Sequence, residues 1–277
     1  MTKDKEIAIV SPIKDSPAQK AGIKPGDIIR KVDNFDTKDK TLYETVNKIK
    51  GKKGTKVKLT LERNGKTIVI DVIRGKITIK PLEYKIVGNG DIMHIKVITF
   101  NEGSAEGFRN VIQIIKKNPN IKGIILDFRN NPGGLLSVAT EMLNYILPKG
   151  SVAVQIQYSY FNVFQKTVGE EKFKDYPMAV LVNKGSASAS EIVAGALKDY
   201  GRAKIIGETT FGKGTVQEIN YFQDKSSLKL TIAKWLTPKG NTIDGKGITP
   251  DIKITKGANG ADTQLNRAVY EVNKYIK

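Results

Sequence analysis

Between Lys184 and Gln217 the chain reads KGSASASEIVAGALKDYGRAKIIGETTFGKGTVQ. Three serines, Ser186, Ser188 and Ser190, alternate with alanine, and a lysine flanked by glycines, Lys213, follows 25 positions after Ser188. A serine hydroxyl is a weak nucleophile until a base takes its proton. A lysine amine can be that base when burial disfavours its ammonium form. These residue types therefore offer one chemistry: Ser188 as nucleophile and Lys213 as general base. Phe211 would supply an apolar neighbour, and the glycines permit close approach. The plainer readings are a helix cap with small packing residues and a solvated loop lysine.

The flanking pattern says what must position the pair. Met178–Asn183 (MAVLVN) is a short apolar run of the buried-strand type. Ser188–Tyr200 carries a helical stripe at Ile192, Val193, Ala196 and Leu197, with Gly201 as its stop. Ala203–Gly207 (AKIIG) is again a buried strand. A strand–helix–strand unit places its strands parallel, so the loops at 184–188 and 209–214 should meet at one sheet edge, the edge where open α/β sheets bind ligands. Ser188 then heads a helix, where free N–H groups and the dipole favour negative charge.

A third loop belongs at that edge. Ile121–Arg129 (IKGIILDFR) reads as a buried strand, Asn130–Gly134 is NNPGG, and Leu135–Leu147 reads as a helix. Glycines at a strand–helix junction leave backbone N–H groups free to face a ligand. The N–H groups of Gly134 and Ala189 are candidates for an oxyanion hole, against the simpler reading of NPGG as a tight turn. Gln217, four residues past Lys213, would share its face on a strand and could hydrogen-bond the amine or hydroxyl; a surface glutamine is the alternative. His94, the single histidine, falls on one face of the strand Ile92–Phe100. It could act as a base, but a satisfied strand histidine is the plainer reading.

Composition excludes other chemistry. The 277 residues contain no cysteine, so thiol catalysis, thiolate metal sites and disulfides are ruled out. One histidine rules out a multi-histidine zinc centre. The hydrophobic fraction of 39% is enough for a core, and the formal charge is +18, from 46 basic against 28 acidic residues. Such a charge suggests affinity for membrane headgroups, wall polymers or nucleic acid. The lysines are spread along the whole chain, however, and read mainly as a solvated surface, with no specific nucleic-acid partner implied. No apolar run approaches the roughly 20 residues of a membrane span, and MTKDKEIAIV is not a signal peptide.

Residues 1–80 read as a small β-rich module. Ile7–Val10 and Gly26–Asn34 are expected strands, Ser16–Ala21 and Leu42–Gly51 short helices, and TKVKLTLERNGKTIVIDVIRG a hairpin turning at Asn64-Gly65. SPAQKAGIKPGDIIRKVD resembles a bacterial PDZ domain over roughly residues 5–74. PDZ domains add a peptide C-terminus as a strand. In related domains a glycine-containing carboxylate loop and its strand lie upstream of IAIV. Only six residues precede Ile7 here and none is glycine, so the expectation is a truncated module lacking its first strand and carboxylate loop. Residues 75–90 read as a connector, Ser104–Asn118 as a helix, and 151–174 as a strand followed by a polar excursion. TVQEINYF, SLKLTIAKWLTP and DIKIT read as strands, and Gln264–Ile276 as a closing amphipathic helix.

Two motifs mislead. GETTFGKGT (207–215) approaches the phosphate-binding G-x-x-x-x-G-K-[ST], but Gly214 stands where the magnesium-binding hydroxyl belongs, and a strand follows where a helix is required. SPIK (11–14) matches S-x-x-K without its partner motifs.

Taken together, LDFRNNPGG, NKGSASASEI, GETTFGKGTVQ and KWLTPKG resemble the C-terminal processing (tail-specific) serine peptidases, over about residues 83–255. The resemblance implies an α/β core related to the crotonase/ClpP type at 81–277, behind the mainly β PDZ-like domain at 1–80. It also implies Ser188 as nucleophile, Lys213 as base, Gln217 in support, and Gly134 with Ala189 as oxyanion donors. Asp199 has been considered an assisting residue in that family, although its place at a helix end favours a surface role; Glu191 belongs to the motif without an assigned role. The implied activity is endopeptidase cleavage of proteins or peptides near apolar C-terminal ends through an acyl-enzyme, with no metal or cofactor. The implied setting is extracytoplasmic or membrane-associated, and the absence of an export segment fits a shortened chain. Association with anionic surfaces and self-association are compatible with this reading. Two rival readings remain: a catalytically silent PDZ-type peptide-binding protein, and a polyanion-binding protein.

Overall fold

Alternation of apolar residues along 56–73, broken by Asn64-Gly65, forms a hairpin in the computed structural model of the chain. The structure describes residues 6–9, 12, 16–24, 26–76, 80–221, 227–255, 257 and 261–276, leaving out the side chains at 217–219, 221, 227 and 229. Two compact units result, Met1–Ile79 and Lys80–Lys277.

The first unit comprises α1 (Pro17–Lys20), β1 (Ile28–Val32), β2 (Phe35–Asp36), α2 (Leu42–Ile49), β3 (Lys56–Arg63) and β4 (Lys66–Ile73). Its strands form an antiparallel sheet in the order β2-β1-β3-β4. Asn64 and Gly65 take φ of 52° and 74°, the turn whose twist matches the flanking strands. Thr41 and Glu44 cap α2 reciprocally. Ile7, Ile23, Ile29, Val32, Val57, Leu59, Leu61 and Val72 form the core. In place of the strand expected at 7–10, Ala8 makes an isolated bridge to Ile28, and Val10 lies outside the described residues.

The second unit runs β5 (Leu82–Val87), β6 (Ile92–Val97), α3 (Glu102–Lys117), β7 (Gly123–Asp127), α4 (Leu136–Asn144), β8 (Val152–Gln157), β9 (Asn162–Lys166), β10 (Met178–Val182), α5 (Ala189–Asp199), β11 (Lys204–Gly207), β12 (Thr215–Tyr221), β13 (Ser227–Leu236), β14 (Ile252–Lys253) and α6 (Thr263–Asn273). A six-stranded sheet has the order β14-β11-β10-β7-β6-β5 and is parallel except at β5. A second, antiparallel sheet has the order β12-β13-β8-β9.

Every residue of β7 and β10 is buried, because helices cover both faces of the parallel sheet. Residues of α3, α4 and α5 pack on one face with Ile124, Leu126, Val180 and Val182. Leu265, Ala268 and Val272 of α6 pack on the other with Ile125, Ala179 and Leu181. The chain is thus a mixed α/β core with a mainly β N-terminal unit. Two strands break the expected pattern: β5 lies inside the connector and β9 inside the polar excursion. Both are edge strands with exposed apolar residues, Tyr84 and Ile86 on β5, Val163 and Phe164 on β9. Half-covered edges carry little of the burial signal that marks a strand.

Candidate active site

Parallel register sets the site. β7, β10 and β11 end side by side, with Leu181 opposite Asp127 and Val182 opposite Gly207. The loops that follow are 128–135, 183–188 and 208–214, and they are bonded to one another. The Asn183 and Asn130 side chains pair at 2.8 Å, and the Asn130 N–H donates to Asn183 Oδ1. Phe211 N–H donates to the Ser186 carbonyl at 2.9 Å.

The three serines of SASAS have different surroundings. Ser186 and Ser190 are wholly buried. Their hydroxyls donate to carbonyls of the neighbouring loop, Ser186 to Phe128 at 2.8 Å and Ser190 to Asn131 at 3.0 Å. Ser188 is half-buried, and its hydroxyl is committed to no neighbouring loop among the described residues. Its backbone has φ 54° and ψ −115°, a sparsely populated conformation for a side-chain-bearing residue. Such strain collects at functional sites and marks the sharp strand-to-helix turn that lifts a nucleophile clear of its sheet.

The NNPGG loop closes on this turn. Asn131 is buried; its side-chain amide donates to the Val97 carbonyl, and its Oδ1 accepts the Gly133 N–H, both at 2.8 Å. Gly133, at φ 102°, is pressed so close that a Cβ there would sit 2.8 Å from Ser188 Cβ and 3.0 Å from the Ala189 nitrogen. Phe100 bonds both sides of Gly134, donating to the Gly133 carbonyl and accepting from Leu135 N–H. The N–H groups of Gly134 and Ala189 have no acceptor among the described residues. The two candidate oxyanion donors are thus uncommitted and belong to loops in contact.

The lysine loop reaches the serine turn through Glu191. One carboxylate oxygen of Glu191 accepts the Ser188 N–H at 2.8 Å and the Lys213 N–H at 2.9 Å. That shared acceptor holds the two backbone nitrogens within about 6 Å of each other. The Lys213 side chain is exposed, as is Phe211 at 67%. The burial expected for this lysine is therefore not provided by the loop, because Phe211 points away from the core instead of shielding it. Lys213 also precedes β12, and a register shift separates Val216 from Gln217. The strand parity expected to align Lys213 with Gln217 does not run unbroken. Gln217 pairs with Thr231 through its backbone; its side chain lies outside the described residues.

Asp199 is placed elsewhere. It ends α5, eleven residues long, so it lies about 16 Å along the axis from Ser188, and its carboxylate accepts the Lys239 N–H. His94 is the satisfied strand histidine. Buried on β6, it lies 3.0 Å from Asp127, with Nε2 facing Oδ2; since an ionised carboxylate only accepts, that nitrogen carries the proton. Arg129 forks onto the same carboxylate at 2.9 and 2.7 Å and onto Asp262 at 2.7 and 2.8 Å. Burial pushes the Asp127 carboxyl up, but the hydrogen bonds from His94 and Arg129 outweigh it and hold it at about 2. Burial likewise works against the Arg129 charge, and the two aspartates hold its pKa above the ordinary range. This network fixes the end of β7 where the NNPGG loop begins.

Sequence reasoning missed what Glu191 does. The available signal was a glutamate at the third position after the helix cap, the capping-box spacing. The Asp127–Arg129–Asp262 network had none, since 133 residues separate Arg129 from Asp262.

A strand–turn–helix serine, glycine-loop N–H donors and a PDZ-like unit define a class, the PDZ-bearing α/β peptidase folds. The model of peptidase family S41 matches residues 91–254, and that of the PDZ domain residues 1–73. The chain belongs to peptidase family S41. It is 44% identical over 258 residues to a probable CtpA-like serine protease of Staphylococcus saprophyticus, covering 92% of this chain and 52% of that protein. The corresponding protein of Staphylococcus haemolyticus is 42% identical over 281 residues, covering 99% and 56%. The chain thus spans about half the length of these relatives. Among solved structures it is similar to a photosystem II D1 C-terminal processing protease, with a TM-score of 0.67 and 30% identity over 91% of this chain and 69% of the other. A putative S41 protease from Bacteroides fragilis, 18% identical with a TM-score of 0.65 over 100% and 81%, shares the fold. Among the described residues no helix is long and apolar enough to cross a membrane.

Proposed function

We propose that this chain is the catalytic part of a serine endopeptidase acting through a Ser188–Lys213 dyad. The observation that carries the reading is the division of labour among the three serines. Ser186 and Ser190 tie loops together, while Ser188 occupies a strained turn beside two uncommitted N–H groups. Neutral Lys213 takes the Ser188 proton as Oγ attacks the peptide carbonyl. The N–H groups of Gly134 and Ala189 stabilise the oxyanion, the protonated amine of Lys213 returns its proton to the leaving nitrogen, and water resolves the acyl-enzyme. Gln217, on β12, is the residue assigned by resemblance to support the lysine. Lys213 is exposed in the free chain, so the water-poor surroundings a lysine base needs have to arrive with the peptide.

Substrates are proteins or peptides with apolar C-terminal ends, in keeping with the PDZ unit and with the similarity to a C-terminal processing protease. The test is hydrolysis of apolar-tailed peptides by the wild type, Ser188→Ala and Lys213→Ala. Both variants should be inactive; cleavage retained by either rejects the dyad. The exposed Lys213 favours a second reading, a PDZ-type protein that binds peptides without cutting them. Peptide binding without hydrolysis by the wild type would establish it.

A further inference from the structure

Glu191 is wholly buried, yet its carboxylate forms no ion pair among the described residues. Burying an unpaired charge is costly unless hydrogen bonds replace the lost water. Here four donors do so. One oxygen accepts the Ser188 and Lys213 N–H groups, at 2.8 and 2.9 Å. The other accepts the Thr210 hydroxyl and the Gly212 N–H, both at 2.6 Å. Thr210 Oγ1 in turn accepts the Ile248 N–H at 2.6 Å.

An ionised carboxylate is the side chain that accepts at every lone pair of two rigidly spaced oxygens. One donor comes from the serine turn and three from the lysine loop, more than twenty residues on. Glu191 sits in the first turn of α5, where the helix dipole favours its charge, and the serine turn is part of the same helix start. Moving the carboxylate therefore moves the lysine loop relative to Ser188.

We propose that Glu191 is a positioning residue whose buried carboxylate locks the lysine loop to the serine turn, so that base and nucleophile are held as one unit. The proposal rests on the dyad reading for its catalytic consequence but not for the lock itself. Both the charge and the reach of the side chain matter. Aspartate keeps the charge and is one methylene too short to span both loops. Glutamine keeps the reach and turns one oxygen into a donor facing other donors.

Hydrogen–deuterium exchange tests the lock without reference to activity. In Glu191→Asp, segment 209–214 should exchange at least tenfold faster than in the wild type, together with 186–191, while β7 and α3 remain protected. Unchanged protection of 209–214 overturns the proposal. Thr210→Val, which leaves the carboxylate in place, should loosen 209–214 alone, and keeps the test informative if Glu191→Asp does not fold. In peptide hydrolysis well below the unfolding midpoint, Glu191→Asp and Glu191→Gln should lose at least tenfold in kcat with KM within threefold. A purely structural carboxylate would lower the midpoint and leave that split unmoved. Wild-type kcat in Glu191→Asp, with Ser188→Ala and Lys213→Ala inactive, sinks the lock alone; activity in those two sinks the dyad instead.

Discussion

Replacing Gly133 by alanine tests how closely the glycine loop is fitted to the serine. At φ 102° the backbone is in a region that side-chain-bearing residues avoid, at a cost of about 1–3 kcal/mol. The added methyl would lie 2.8 Å from the Ala187 carbonyl oxygen and from Ser188 Cβ, and 3.0 Å from the Ala189 nitrogen. Two of these three neighbours are backbone atoms of the serine turn, so no rotamer change relieves the overlap. The loop must retreat by several tenths of an ångström, carrying the adjacent Gly134 N–H with it. Losing one oxyanion donor typically lowers kcat by about 10²–10³, so a displaced donor should lower it by about 100-fold with KM little altered. A domain of this size loses about 2–4 °C of Tm per kcal/mol, which sets the expected fall at a few degrees to about 10 °C. Steady-state kinetics on a quenched-fluorescence peptide, with calorimetry on the same preparation, measures both. A Gly133→Ala enzyme within threefold of wild-type kcat would refute the assignment of this loop to oxyanion stabilisation.

Three further outcomes follow from the same geometry. Ser186→Ala and Ser190→Ala should each destabilise by about 0.5–1.5 kcal/mol, since each removes one buried hydrogen bond while the Phe128 and Asn131 carbonyls keep the N–H groups of Asn131 and Ala187 as donors, yet both should still react with a fluorophosphonate probe that Ser188→Ala no longer captures. Asp127, held at about 2 against an ordinary 3.8, has a depressed folded-state pKa. Its contribution of about 2 kcal/mol should be complete above pH 4 and lost as pH falls towards 2, read from urea midpoints; Asp127→Asn should flatten that acid limb. Asp199→Ala, altered at the far end of α5, should keep kcat within threefold; a loss of 100-fold would restore it as an assisting residue.

Much of the architecture was legible in the residue pattern. The apolar runs of β7 and β10, the stripe of α5 and the Asn64-Gly65 turn are local signals, each set by which faces are covered or which dihedrals a residue tolerates. Parallel pairing of β10 and β11 follows from the crossover itself, and with it the meeting of the loops that carry Ser188 and Lys213. The edge strands β5 and β9 were not legible, because residues exposed on a sheet edge carry little burial period.

The residues determined which chemistry was available: a hydroxyl, an amine and glycine-freed N–H groups, with no thiol and no multi-histidine metal site. Only the folded chain decided which serine is committed to no neighbouring loop among the described residues, that its backbone is strained, that Lys213 stays exposed, and that a buried glutamate joins the two loops. Periodicity reports how each element meets its own surroundings. A hydrogen bond between loops depends on where two distant backbones come to rest, and no local pattern encodes that.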